Sequence, residues 1–181
     1  MRRLEVRVHA LNRRDDLLWA TLGEAGLIFA ITAIALAVRE PLVFASLGPT
    51  AYELVEQPYQ RSARTYNIIV GHMIGLGCGF LGMFLLNCWT EPNALSTGIV
   101  TDRRLWVIVI AVTATTFLTL IARAGQPAAL ATTLLVSLGS MQKGRDALAI
   151  VIGVLIIAAI GEPLRRIRLK QAESGAVDQI L

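Results

Sequence analysis

Charge is what this chain has least of. Only 17% of its 181 residues are Asp, Glu, Lys or Arg, against 55% hydrophobic, and the mean hydropathy is +0.60. A water-soluble globule of this length needs more polar surface, so that class is excluded. Cysteine is scarce as well: Cys78 and Cys88 are too few for a disulfide framework and read as small apolar fillers. His9 and His72 are the only histidines, and no Cys or carboxylate lies near them at ligand spacing, so no metal site is expected. A G-x-S-x-G elbow, a phosphate loop, an H-E-x-x-H pair and paired intramembrane carboxylates are all missing, which argues against an enzyme and gives no reason to expect a cofactor. Basic residues gather at the termini beside apolar runs, where they set membrane topology rather than bind nucleic acid.

What the chain does have is long apolar runs. Leu17–Val38 contains one formal charge, Glu24, and Ile68–Leu86 contains none. Each is near the ~20 residues that cross a ~30 Å hydrocarbon core at ~1.5 Å per residue. Leu105–Ala122 is slightly shorter, and Ala147–Leu164 needs its flanks to reach across. These features predict an all-α, polytopic integral membrane protein with one membrane domain over 17–164. A basic segment, 1–16, precedes it, and a basic tail, 165–181, follows. The first apolar run is too long for a secretory signal and lacks a small-residue cleavage site, so it is expected to stay as an anchor.

Six helical elements are expected: Leu17–Val38, Pro41–Glu56, Asn67–Asn87, Leu105–Ala122, Pro127–Gln142 and Asp146–Leu164. Four are long; the second and fifth are shorter and Pro-led, ~24 Å of helix each. Those two either cross with tilt or re-enter. Flanking Lys and Arg place both termini in the cytoplasm, which requires an even number of crossings but does not separate six from four. The expected location is a bacterial inner membrane.

The two Pro-led elements open alike. Glu40-Pro41-Leu42-Val43-Phe44-Ala45-Ser46 and Gln126-Pro127-Ala128-Ala129-Leu130-Ala131-Thr132 lie 86 positions apart. Each stands between two long apolar runs, and Pro suits a first helical position because that N–H has no intrahelical partner. A repeat of about 17–87 on about 105–164, each half with a short Pro-led element, points to a transporter-like site. Three crossings per half make the repeat inverted, which favours six.

Candidate functional residues follow. His72 is the only histidine inside an apolar run, and an intramembrane titratable group is either functional or satisfied by a hydroxyl or carbonyl. Glu24 either reaches back to the interface or forms a buried proton or cation site. Ser46 and Thr50 stand near the start of one Pro-led element, Thr132 and Thr133 near the start of the other. Helix N-termini attract small anions without a charged side chain, although such hydroxyls also bond routinely to carbonyls one turn back. Asn67 is placed to cap the third element or bond across a helix interface. Gly71, Gly75 and Gly79 form a small face that lets another backbone approach, with Gly23, Gly26, Ala30, Ala33 and Ala37 of the first element as a possible mate.

From about Pro41 to Gly139 the chain resembles the HPP family of integral membrane proteins, named for a His-Pro-Pro motif. Ala45-Ser46-Leu47-Gly48-Pro49-Thr50-Ala51 is similar to the family's A-S-[FL]-G-x-[ST]-A run, and Asn67-Ile68-Ile69-Val70-Gly71-His72 to its R-N-x-x-x-G-H run. Tyr66 replaces Arg before Asn67. At the name-giving motif Gln126 replaces histidine and Ala128 the second proline. Some members are linked to nitrite transport, so the resemblance implies a transporter or channel for a small inorganic anion, nitrite first. Its expected site lies between the starts of the Pro-led helices and comprises Ser46, Gly48, Thr50, Asn67, His72, Gln126, Pro127, Thr132 and Thr133. Expected partners are that anion, the bilayer and further copies of the chain. The alternative is a non-transporting membrane scaffold or regulatory subunit.

Overall fold

The computed structural model describes residues 13–177, with side chains from 17 to 171; Arg2, Arg3 and Arg7, assigned above to a cytoplasmic N-terminal segment, lie outside the described residues. All regular structure among the described residues is helical: α1 (Arg13–Val38), α2 (Leu47–Glu56), α3 (Thr65–Leu85), α4 (Ala94–Thr97), α5 (Asp102–Ile121), α6 (Pro127–Ser137) and α7 (Gly144–Val177). Four of them, α1, α3, α5 and α7, are long and apolar enough to cross a membrane.

Two boundaries differ from expectation for identifiable reasons. Residues 41–44 carry no regular structure, and α2 begins at Leu47, so Pro49 in its first turn marks this helix rather than Pro41. At about 15 Å, α2 is half a span. The fifth predicted element stops at Ser137 instead of Gln142 because Gly139, at φ +85°, takes the left-handed conformation that ends helices. The supposed tail after Leu164 continues α7 to Val177.

Side-chain contacts fix the direction of every element. Trp19 of α1 lies under the Arg168 guanidinium of α7 at 5.8 Å, so the first and last helices share one end of the bundle, here the basal end. At the opposite, distal end Arg145 pairs with Glu40 at 2.6 Å. The Arg145 guanidinium holds this carboxyl below its ordinary range. The pair therefore contributes at neutral pH and is lost as pH falls through the lowered value, a small effect for an exposed pair. The segment from Glu40 then runs along α7 until the Pro58 carbonyl accepts from Arg165 Nη1 at 2.9 Å. Between Arg145 and Arg165, α7 rises about 30 Å.

Thr65, at the start of α3, donates to Glu162 at the basal end, and the distal end of α3 leads to Asn87, whose carbonyl accepts from Arg103 of α5. Helix α5 returns to the base, where the Ala122 carbonyl accepts from Tyr66. Helix α6 then climbs beside α3, and its last carbonyl, Ser137, accepts from Arg104. The chain therefore traverses the bundle six times, three times per half, and the halves run in opposite directions. Contacts repeat under exchange of the halves: α3 packs on α5 and α6 as α7 packs on α1 and α2, and α1 meets α2 as α5 meets α6.

The glycine face of α3 receives α6, not α1. Its Gly71, Gly75 and Gly79 lie against Gln126, Ala129 and Val136, while Gly23 of α1 meets Val55 and Leu164 and Gly26 meets nothing.

Candidate functional site

Four side chains expected at one site do meet. Ser46 and Thr132, the positions equated by the 86-residue offset, join hydroxyls at 2.8 Å. Thr132 Oγ1 lies 2.7 Å from His72 Nδ1, and Thr50 Oγ1 lies 3.0 Å from His72 Nε2. Thr50 also donates to the Ser46 carbonyl at 2.9 Å. With its one proton committed there, Thr50 accepts from Nε2–H. A neutral ring then accepts from Thr132 at Nδ1, and Thr132 accepts from Ser46. The result is a closed ring of hydrogen bonds across the interface of the halves. Each of the four residues is 0% exposed, so no water-sized sphere touches them. This layer is satisfied and dry.

Gln126 does not join it. As N-cap of α6 it is 4% exposed, yet neither its amide nitrogen nor its amide oxygen has a hydrogen-bond partner. Leaving one such group buried and unpaired costs about 1–3 kcal/mol. Asn67 donates to the carbonyls of Arg123 and Gly125, which holds the turn leading into Gln126. Gln126 lines a cavity of about 410 Å³. Pro127 and Leu130 complete the α6 side, Thr116 and Thr119 come from α5, and Gln60, Arg61 and Ser62 come from the loop before α3. No carboxylate lines it; an arginine, an amide, hydroxyls and a helix start do. Such a set accepts anions.

Other predicted residues fall elsewhere. Thr133 pairs with Thr115 of α5 at 2.9 Å. Gly48 has open space around it, away from the ring. Glu24 lines a groove between α1 and α2 with Tyr52 and Glu56. Among the described residues no group of three His, Cys, Asp or Glu could hold a metal ion.

Sequence reasoning missed two buried charged residues. Glu53 of α2 is 8% exposed; Ser62 and Gln126 flank its carboxylate without meeting hydrogen-bond geometry, and its Oε2 is unpartnered. Its spacing from Thr50, one turn earlier on the same face, was the available signal. Arg104, 1% exposed, donates to the carbonyls of Ser137, Glu91 and Pro92 and so closes the C-terminal end of α6. Nothing in the Arg103-Arg104 pair distinguishes the buried member.

The family model described as HPP, transmembrane region, matches residues 10–172. The chain belongs to this family. The HPP match spans both halves, the ring and the cavity, and with four apolar helices of spanning length it makes this a multi-pass membrane protein. No curated protein and no solved structure matches the chain.

Proposed function

We propose that this HPP protein passes a small inorganic monoanion, nitrite first, from the basal cavity through the layer formed by Ser46, Thr50, His72 and Thr132. One observation carries the reading: Gln126 is buried with both ends of its amide unpaired, and it lines a carboxylate-free cavity beside Arg61 at the start of α6. The amide donates to the anion, Arg61 attracts it, and the dry layer is the closed barrier that must part for passage. No catalysis and no cofactor belong to this reading. The basal end lies in the cytoplasm of a bacterial inner membrane, with Arg61, Arg64, Arg123 and Arg165 near it.

Proteoliposomes decide the matter. Wild-type vesicles are expected to take up labelled nitrite faster than empty ones; equal uptake overturns the proposal. Gln126→His places a titratable ring at the same cavity wall, so uptake in that variant is expected to acquire an added step near pH ~6.5, or lower where the ring is desolvated. An unchanged profile in a folded, active variant removes Gln126 from the path.

A scaffold role is the second reading, favoured by the sealed layer around His72. The two separate on uptake alone. We also propose a homo-oligomer, a dimer or trimer, because the small residues Gly26, Ala33 and Ala37 of α1 stay exposed, open to a helix of another copy. A detergent-corrected mass matching one 19.6 kDa chain at every concentration would exclude it.

A further inference from the structure

Glu53 stands between the cavity and the His72 layer, and none of the roles above uses it. Its carboxylate is flanked by two cavity-lining side chains, Ser62 and Gln126, and it lies one helical turn after Thr50, which bonds His72. No ion pair to Glu53 exists among the described residues, where Glu162 already holds Arg165 and Arg166. Of the elements packed on α2, α6 has no ionisable residue, α1 brings Glu24, and α7 brings Glu162 and Arg165. On the loop Arg61 lines the cavity, Tyr52 and Glu56 share the α2 helix, and His72 lies beyond Thr50.

A buried carboxylate with no cation beside it lacks the partner its charged form needs. An anion bound at Gln126 adds a second negative charge beside it. Like charges at close range in a low dielectric exclude one another. That excludes one combination, a bound anion beside ionised Glu53, so a loaded site carries Glu53 protonated.

We infer that Glu53 is the proton site of the transport cycle and makes passage of each monoanion a co-transport with one proton. The inference rests on the transport reading above. On loading, hydronium from the cavity protonates the carboxylate, giving the carboxylic acid and water, while the anion binds Gln126 and Arg61. On release both leave, and the carboxylate re-forms. The pair moves without net charge.

The test is nitrite uptake into proteoliposomes across a range of pH, corrected by empty vesicles, with lumenal pH followed by a trapped dye. Wild type is expected to slow by up to about tenfold per unit rise in pH on the limb where Glu53 is ionised, as a one-proton step requires, and to carry protons inward with nitrite. Glu53→Gln is expected to take up nitrite with a flat profile and no accompanying protons. If Glu53→Gln keeps the wild-type profile, Glu53 is not the proton site and the transport reading stands. If wild type itself shows no uptake beyond empty vesicles, the transport reading falls and this inference with it.

A second measurement is independent of uptake by the variant. Adding nitrite to detergent-solubilised wild type is expected to raise a protonated-carboxyl band in infrared difference spectra. The band should persist in Glu24→Gln and Glu56→Gln and vanish in Glu53→Gln. Its survival in Glu53→Gln, or its absence from wild type that does take up nitrite, overturns the assignment.

Discussion

Gly75→Val is expected to unseat α6 and cost about 3 kcal/mol or more, measured as a drop in the thermal unfolding midpoint in detergent. A side-chain carbon at Gly75 would lie 2.5 Å from the Ala129 carbonyl oxygen and 2.9 Å from Thr133 Oγ1. The first is backbone in the first turn of α6, so no rotamer change relieves it. Retreat of α6 relieves it only by also lifting Gln126 and Val136 from their seats on Gly71 and Gly79. Gly77→Val, on the same helix with nothing within 4 Å, is the matched control and should cost nothing, since Val has a better helix propensity than Gly by a few tenths of a kcal/mol. Equal midpoints for the two variants would show that α6 is free to shift, and the cavity wall at Gln126 would then be movable too.

That close seating was half legible in the sequence. Three glycines at helical spacing announced a near approach, but spacing names no partner, and the milder small face of α1 was one candidate. The decision came from the repeat: under exchange of the halves, α3 must receive α6 as α7 receives α2. The 86-residue offset equates Ser46 with Thr132, and the two bond to each other, as positions related by a twofold can where they meet on its axis. Where the halves diverge, the offset misled. Glu40-Pro41 and Gln126-Pro127 look alike, yet Glu40 pairs with Arg145 at the distal rim while Gln126 is buried in a cavity wall. Pro41 stays outside a helix while Leu47 starts one six residues later with Pro49 in its first turn, and the second half has no second proline at that spacing to do the same.

The expected site divided for a related reason. Hydroxyls and an imidazole can satisfy one another, so Ser46, Thr50, His72 and Thr132 closed into a ring. Gln126, one element end away, stays outside that ring with its amide beside the Glu53 carboxylate. Glu53 and Arg104 escaped notice because burial of a charge depends on which helix covers it. For Arg104 that is a property of packing alone, while for Glu53 the one-turn spacing from Thr50 was the only local sign.

His72→Leu should lower stability by about 2–3 kcal/mol, because removing the ring opens the loop of hydrogen bonds at its centre. Thr50 keeps its bond to the Ser46 carbonyl, and Thr132 can turn its proton toward Ser46, so the loss is smaller than deletion of four partners would suggest. His72→Gln retains one donor and one acceptor and should cost about 1 kcal/mol. If Glu53 carries the proton, the Gln variant also keeps nitrite uptake driven by an imposed pH gradient, since the amide supports the layer without titrating. Chemical unfolding in detergent gives the first pair of values, and gradient-driven uptake gives the second. A well-folded His72→Gln protein that still passes nitrite but no longer responds to the gradient would move the proton from Glu53 to the imidazole. The layer would then be the coupling element itself rather than the barrier it forms in the closed state.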